Sequence, residues 1–262
     1  MARKFLSFIL IGAALAVVVS CATVPPDKAN RARSADAYYQ LGIEQMGSGN
    51  YQGALLEFRK SEATNPDDPR VYNALGLVNA SLGRTDEAEK AYLKALRLKN
   101  DYSDVHLNLG VLYANQNRCD EAIPLFDKAL ENPFFETPAK ALHNIGLCYQ
   151  VLGKDVEAEG KFREALQLDP DLFRAYYDLG FLYYRENLLD QAIEILDRGM
   201  TRYARLEGAR PDDLSRFHFL LGLCYFKYAD PDNARRHFRQ VTELVPGMSI
   251  DRDARKYLEL MQ

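Results

Sequence analysis

The chain of 262 residues contains no tryptophan, only four histidines and only four cysteines. No two histidines stand four residues apart, and the sequence has no HExxH motif and no Cys/His cluster of the kind that binds zinc. Glycine-rich phosphate loops and the GxSxG motif of hydrolases are missing as well. The sequence therefore predicts no metal, no cofactor, no small-molecule substrate and no catalytic residue, and we expect a protein that is not an enzyme.

A strong charge of either sign is also missing. The chain carries 33 Lys and Arg against 37 Asp and Glu, which leaves a formal net charge of −4. No segment of the sequence contains a cluster of Lys and Arg residues. Because binding to the phosphate backbone needs a basic patch, we expect no nucleic-acid partner.

An apolar run is present at the N-terminus. Within residues 1–20, Arg3 and Lys4 precede an apolar stretch from Phe5 to Val19, and a small residue follows it. The stretch is shorter than the ~20 residues that a membrane-spanning helix needs. A short basic start, an apolar centre and a small-residue end predict a secretory signal peptide over residues 1–20.

The end of this run resembles the lipobox of bacterial lipoproteins. In Val18-Val19-Ser20-Cys21, an apolar residue and a small residue precede a cysteine, as they do in that motif. The resemblance implies cleavage before Cys21, a diacylglyceryl group on its thiol, and, because Ala22 follows it, a position on the periplasmic face of the outer membrane. An uncleaved signal anchor with an incidental cysteine is the alternative. Residues 22–34, with two prolines and mixed charges, are predicted to form a flexible tether after Cys21.

The rest of the chain is periodic. In six predicted helical segments a Leu-Gly or Ile-Gly pair recurs, and the glycines of these six pairs are separated by 34, 34, 36, 34 and 42 residues. They are Gly42, Gly76, Gly110, Gly146, Gly180 and Gly222. A period of this length indicates stacked helix pairs, in which each pair buries its apolar face against its neighbours.

The sequence from residue 35 onward resembles the tetratricopeptide repeat family. The repeat at 139–172 carries the residues of that pattern at Ile145, Gly146, Tyr149, Ala158, Phe162, Ala165 and Pro170. The resemblance implies an all-α, right-handed solenoid of six helix pairs and a capping helix at 249–262. The six predicted repeats are 35–68, 69–102, 103–136, 139–172, 173–206 and 215–248.

Three features depart from the repeat pattern. Residues 132–138 are two residues longer than the standard junction, and 207–214 is an insertion of eight residues. Such insertions are predicted to be surface loops. In the fifth repeat, Leu196 and Gly199 replace the usual ring and alanine, which predicts a weakened second helix.

The tetratricopeptide resemblance implies that the first helix of each repeat lines a concave groove. The candidate partner-binding residues there are Asn73, Asn108, His143, Asn144, Tyr177, Phe181 and Tyr184. The lysines with which some family members clamp a terminal carboxylate are absent, so we expect the rings to bind an apolar segment of a protein partner. Two alternatives stay open: packing or the capping helix covers the rings, and the asparagines bond neighbouring turns.

Three cysteines remain after Cys21. Cys119 and Cys148 come from helices that are predicted to be neighbours, so a disulfide between them is conceivable. Three buried free thiols, with Cys224 as the third, are the favoured interpretation.

Lipobox, tether, repeat array and the junction at 132–138 together resemble the type IV pilus pilotins, a group of PilF/PilW/Tgl-type lipoproteins. That resemblance implies a scaffold that binds secretin subunits and aids their localisation and assembly at the outer membrane. The alternative is a lipoprotein adaptor for cell-wall enzymes or for outer-membrane barrel assembly, since the same anchor and array would serve it.

Overall fold

A computed structural model describes residues 28–261 of the chain. The predicted signal peptide, Cys21 and residues 22–27 lie outside the described residues. Residues 28–261 form thirteen α-helices and no strand. The helices are α1 (Lys28–Gly47), α2 (Tyr51–Thr64), α3 (Pro69–Ser81), α4 (Thr85–Leu98), α5 (Ser103–Ala114), α6 (Cys119–Leu130), α7 (Pro138–Val151), α8 (Asp155–Leu168), α9 (Phe173–Arg185), α10 (Leu189–Tyr203), α11 (Pro211–Lys227), α12 (Pro231–Leu244) and α13 (Ser249–Leu260).

Each predicted repeat contains one pair of antiparallel helices, which confirms the all-α repeat solenoid. Within a pair the two helices pack along their length, and each pair also contacts the next one. First helices of successive repeats touch one another, as in α5 with α7 and α9 with α11, whereas no pair of second helices within residues 28–261 makes a comparable contact. First helices therefore lie on the inner side of the curve, and second helices form its outer face.

Glycine packing against a ring sets the distance between the helices of a repeat. In the fourth repeat, a Cβ added to Gly146 would lie 2.6 Å from Cε1 of Phe162, whose side chain is fully buried. The same glycine-to-ring contact occurs in the first, second, third and sixth repeats. In the fifth repeat, Leu196 takes the place of the ring against Gly180. The 34-residue period thus reflects one packing contact repeated along the chain.

Two predicted boundaries were wrong. Helix α1 begins at Lys28, inside the segment assigned to the tether. The sequence from Lys28 to Ser34 contains neither glycine nor proline and is rich in Ala, Lys and Arg, which favour helix. Helix α11 begins at Pro211, inside the segment 207–214 that was assigned to a loop. Proline suits the first turn of a helix, because its missing N–H would have no intrahelical partner there.

The first turn of α11 is fixed by a buried polar network. The Tyr203 hydroxyl donates to Oδ2 of Asp213 at 2.7 Å, and the backbone N–H of Arg210 donates to the Tyr203 oxygen at 3.1 Å. The Arg210 guanidinium lies 2.9 Å from the same carboxylate oxygen. Burial raises the pKa of Asp213, but the hydrogen bonds from Tyr203 and Arg210 outweigh it, so this pKa lies below its usual value.

The junction at 132–138 is a surface turn, as predicted, and α7 starts within it at Pro138. The Asn132 side chain accepts a hydrogen bond from the Phe134 N–H at 3.0 Å. Phe135 is buried, whereas Phe134 is 87% exposed. The turn therefore anchors one ring in the core and presents the other to solvent.

Leu196 and Gly199, from which a weakened second helix of repeat five is predicted, do not interrupt that helix, and its lower stability stays a prediction. Helix α10 runs uninterrupted through both residues. A Cβ at Gly199 would clash with Cβ of Tyr176 and lie 3.1 Å from the ring of Phe217. Glycine is required there because two large side chains meet its backbone.

The predicted cap is confirmed, because α13 packs against α12 and α11. Tyr257 of α13 stacks on Phe238, with the ring centroids 4.9 Å apart.

Within residues 28–261, no helix is both long and apolar enough to span a membrane.

Candidate protein-binding surface

Three of the polar residues predicted to line the groove make hydrogen bonds between successive first helices. The Asn108 amide donates to Oδ1 of Asn73 at 3.0 Å. In the next two repeats, Nε2 of His143 lies 2.7 Å from Oδ2 of Asp178, and His143 is 7% exposed. Asn144 is half-buried. These contacts link α3 to α5 and α7 to α9, so part of the hydrogen-bonding capacity of the groove is already used between repeats. Binding of a partner to these residues stays a prediction.

The predicted rings do reach the inner surface in the fifth repeat. Tyr177, Phe181 and Tyr184 are spaced by four and three residues along α9, which places them on one side of that helix. Phe181 is 43% exposed, and Tyr177 and Tyr184 are half-buried. Tyr177 is held by an edge contact with Phe217, at 5.8 Å between ring centroids.

A fourth ring extends this surface into the sixth repeat. Phe226 of α11 is 40% exposed, and Tyr257 of the cap meets it edge-on at 5.3 Å between centroids. Lys227 donates to the backbone carbonyl of Tyr184 at 3.4 Å and lies 5.0 Å from the centroid of its ring. We call Tyr177, Phe181, Tyr184 and Phe226 the inner ring surface. The cap thus packs against part of it without burying Phe226, and Phe181 also stays open to solvent.

A second apolar surface lies at the start of the array, and the sequence prediction missed it. Tyr38 and Leu41 of α1 are 37% and 40% exposed. Their counterparts in the second and fifth repeats, Tyr72, Leu75, Tyr176 and Leu179, are all buried. Among residues 28–261, no helix lies beside α1 in the place that a preceding second helix takes in later repeats. The repeat pattern itself held this signal, because the first repeat of any array lacks a predecessor.

The remaining histidines contact other residues of the solenoid. Nε2 of His106 lies 2.8 Å from the carbonyl oxygen of Asn100, and His218 and His237 face each other with their Nδ1 atoms 3.0 Å apart. Burial lowers the pKa of both members of the pair, and the positive charge of Arg236 adds to the effect. No group of three or more potential metal ligands occurs within residues 28–261.

The cysteines Cys119, Cys148 and Cys224 are all buried free thiols, as the favoured interpretation has it. Burial, and then contact with Cys119, raises the pKa of Cys148 far above its usual value. Burial raises the pKa of Cys224 to about 12. At neutral pH the Cys148 and Cys224 thiols are therefore protonated and unreactive as nucleophiles.

Comparison with known sequences identifies the repeat. Models of the tetratricopeptide repeat match residues 39–103, 79–144, 139–172 and 171–246, so that together they run without a gap from 39 to 246. The type IV pilus assembly protein PilF of Pseudomonas aeruginosa is 25% identical over 248 residues, covering 91% of this chain and 92% of that protein.

Solved structures with the same fold include two from type IV pilus systems. PilW, described as a widely conserved type IV pilus biogenesis factor, superposes with a TM-score of 0.75 at 22% identity, over 84% of this chain and 97% of that one. PilF of Pseudomonas aeruginosa superposes with a TM-score of 0.73 at 23% identity, over 87% of this chain and 99% of that one. MamA reaches 0.56 at 20% identity, over 66% of this chain and 93% of that one. These structural likenesses establish the fold.

Proposed function

Because this chain belongs to the tetratricopeptide repeat family, we propose that it is a protein-binding scaffold and, more specifically, a lipid-anchored pilotin. In this role it binds secretin subunits of a type IV pilus at the outer membrane and aids their assembly. The observation that carries the proposal is the correspondence with PilF, which extends over 91% of this chain and 92% of that protein.

The lipobox at Cys21 supports the anchor. Lys28, the first residue of α1, follows Cys21 by seven positions, and seven residue steps span at most ~25 Å. A diacylglyceryl group on Cys21 would therefore keep the start of the solenoid close to the membrane surface. Two acyl chains give stable attachment, whereas one gives only marginal binding.

The inner ring surface supports binding of an apolar partner segment. Phe181 and Phe226 remain about two-fifths exposed on the inner side, although the rings that pack against the repeat glycines are fully buried. Aromatic side chains with fixed orientation are the residues that most often dominate protein interfaces. Since the lysines that would clamp a terminal carboxylate are absent, the surface favours an internal apolar segment of the secretin subunit.

Tethering explains how such a scaffold would act without catalysis. A subunit held on the inner ring surface of an anchored protein stays near the membrane, where its effective concentration for assembly reaches ~mM. Release then requires only that contacts among secretin subunits exceed those with the scaffold. The proposed protein therefore needs no cofactor and no chemical step.

Two changes in the native host test the proposal. Cys21→Ala should leave secretin subunits as monomers, or as multimers in the inner membrane, when membranes are fractionated. Phe181→Glu combined with Tyr184→Glu should abolish capture of the secretin subunit, because each places a charge on the apolar surface. Val156→Glu is the matched control, since Val156 is 82% exposed in the first turn of α8, away from the inner side.

Normal secretin multimers at the outer membrane in the Cys21→Ala strain would refute the pilotin role. The weight would then shift to an adaptor for cell-wall enzymes or barrel assembly. Unchanged capture by the Phe181/Tyr184 variant would leave the anchor intact but place the binding site elsewhere.

A further inference from the structure

The outer face of the solenoid carries a cleft that the inner ring surface does not explain. It lies between α8 and α10 and has a volume of about 580 Å³. Leu166, Leu179 and Ile195 supply its apolar lining, and Arg163 and Arg198 stand at its sides. This volume is within the range of sites that bind small ligands or single protruding side chains. We call it the outer cleft.

The corresponding groove between α2 and α4 is smaller, about 340 Å³. Tyr72 lines that groove, whereas Tyr176, at the equivalent repeat position, is fully buried and does not line the outer cleft. Gly199 lies directly against Tyr176. The outer cleft is therefore larger than its counterpart between α2 and α4, and Tyr176 does not line it as Tyr72 lines that groove.

A basic hollow adjoins the outer cleft along α10. It has a volume of about 360 Å³ and is lined by Asp197, Arg198, Thr201, Arg202 and Arg205. Arg198 and Arg202 are four residues apart and share one side of α10, and Arg205 lies in the turn just after the helix ends at Tyr203. Arg198 lines both the hollow and the cleft, so the two lie next to each other.

Two of these arginines have no acidic partner. Arg202 pairs with Asp171 at 2.6 Å, and Arg163 pairs with Glu159 at 2.5 Å. Arg198 and Arg205 make no ion pair within residues 28–261, and the Arg198 guanidinium lies 5.7 Å from the centroid of the Tyr176 ring. Two guanidinium groups without an acidic partner, beside a cleft lined by both apolar and polar residues, suit a ligand that carries an apolar group next to carboxylates.

We propose that the outer cleft and its basic hollow bind an extended segment of a partner protein in which apolar side chains lie next to a run of acidic residues. The apolar side chains enter the cleft between α8 and α10, and the carboxylates contact Arg198 and Arg205. Gln167 and Gln191, which also line the cleft, provide amide groups that can bond the backbone of an extended segment. The site is on the outer face and is therefore separate from the inner ring surface.

A protein segment fits these features better than an anionic membrane does. The cleft is concave, whereas a bilayer surface has no protruding side chain that would fill it. Glu194 lines the cleft and Asp197 lines the hollow, and both would repel a dense layer of lipid phosphates. A single peptide can instead place its few carboxylates opposite the arginines alone.

The probe for the test is a fluorescein-labelled synthetic peptide with an Ile-Leu pair followed by a run of aspartates. Fluorescence anisotropy with the purified full-length protein should show saturable binding that weakens as salt is raised. The double variant R198E/R205E should raise the dissociation constant at least tenfold, since two attractive contacts become repulsive. The matched control is R97E, an exposed arginine in the last turn of α4, and it should bind like the unchanged protein.

A second variant tests the apolar half of the site. Gln191→Trp places a large side chain at an exposed residue that lines the cleft, and it should abolish peptide binding without unfolding the helix, which circular dichroism would verify. A peptide with asparagines in place of the aspartates should bind at least tenfold more weakly than the original.

Three results would overturn the proposal. They are the absence of saturable peptide binding, equal binding by R198E/R205E and R97E, and tight cosedimentation of the protein with phosphatidylglycerol vesicles in place of peptide binding. The assay contains no pilus component and no membrane anchor is needed in it. Its failure therefore leaves the proposed pilotin function untouched, and failure of the pilotin function leaves this site untouched.

Discussion

Two helix-interior glycines of the fourth repeat allow the packing argument to be tested within one helix pair. Gly146 of α7 is buried against the ring of Phe162, whereas Gly160 of α8 has no side chain within 4 Å of where a Cβ would lie. In a helix interior, alanine is more favourable than glycine by ~1 kcal/mol, because glycine loses more backbone entropy on folding. Gly160→Ala should therefore stabilise the protein by up to about 1 kcal/mol.

Gly146→Ala should have the opposite effect despite the same gain in helix propensity. The new methyl group would lie 2.6 Å from Cε1 of Phe162, and that ring is fully buried. The ring has little space to move, because His143 packs against it with 5.6 Å between the ring centroids. Overpacking of a core costs ~1–3 kcal/mol. The two variants should therefore differ in the free energy of unfolding by the packing cost alone, ~1–3 kcal/mol.

The measurement is thermal and urea unfolding of both variants, followed by circular dichroism. For an array of this size the difference corresponds to roughly 2–10 °C in Tm. Repeat arrays can unfold in parts, so hydrogen exchange of the amides in α7 and α8 should be measured as well. A stabilising Gly146→Ala, equal to Gly160→Ala, would refute the claim that the glycine sets the helix spacing.

A rescue experiment separates packing from backbone effects. Phe162→Leu provides a smaller side chain opposite the added methyl group. The double variant Gly146→Ala/Phe162→Leu should be more stable than the sum of the two single changes predicts, because the residues are in contact. Strict additivity would mean that the two sites are independent and that the cost of Gly146→Ala arises elsewhere.

Three further predictions concern polar and thiol groups. The pair His218–His237 is buried, and burial lowers the pKa of His237 to about 4. Because the unfolded state therefore binds more protons between pH ~6.5 and ~4, the free energy of unfolding should fall by on the order of 2–3 kcal/mol as the pH drops through that window. Hydrogen exchange in α11 and α12 at several pH values would measure this fall, and a His237→Gln variant with the same pH slope would contradict it. Tyr203→Phe removes the hydroxyl that donates a hydrogen bond to Asp213 and should lower the free energy of unfolding in urea by ~1–2 kcal/mol. Tyr228→Phe, at a residue that is 53% exposed, should change it little. Equal effects of the two changes would refute the role of the network. Cys148 and Cys224 should resist iodoacetamide in the native protein at neutral pH, because burial raises the pKa of both thiols, and they should react after denaturation. Peptide mass spectrometry would measure the labelling. Rapid labelling of the native protein would contradict this prediction and show that these helices open.

The repeat boundaries were predictable because they depend on local patterns. Helices α3, α5 and α9 begin at Pro69, Ser103 and Phe173, the residues at which the repeat pattern starts its second, third and fifth units. The predicted start of a helix was wrong for α1, which begins at Lys28, and for α11, which begins at Pro211, because every repeat was assigned the same length of 34 residues. Helix propensity and a proline suited to the first turn extended α1 and α11 beyond the repeat unit in those two places.

The candidate site was only partly predictable. The rings of α9 share one side of a helix, so their spacing alone placed them together. The fate of Asn73 and Asn108 was not predictable, because their hydrogen bond joins residues 35 positions apart and depends on how two repeats are rotated against each other. The exposure of Tyr38 and Leu41 was missed because the pattern assigns every repeat the same environment.

By itself, the sequence determined the helices, their pairing and the residues that each pair buries, since a 34-residue period repeats one packing contact between glycine and a larger side chain. Only the tertiary structure decided which polar groups are already bonded and which stay available. Asn108 and His143 find partners across repeats, whereas Arg198 and Arg205 find no acidic partner within residues 28–261. A periodic pattern specifies the contacts between residues that are neighbours in sequence. Burial and ion pairing across repeats depend instead on how each repeat is rotated against the next, and these small rotations add up along the solenoid.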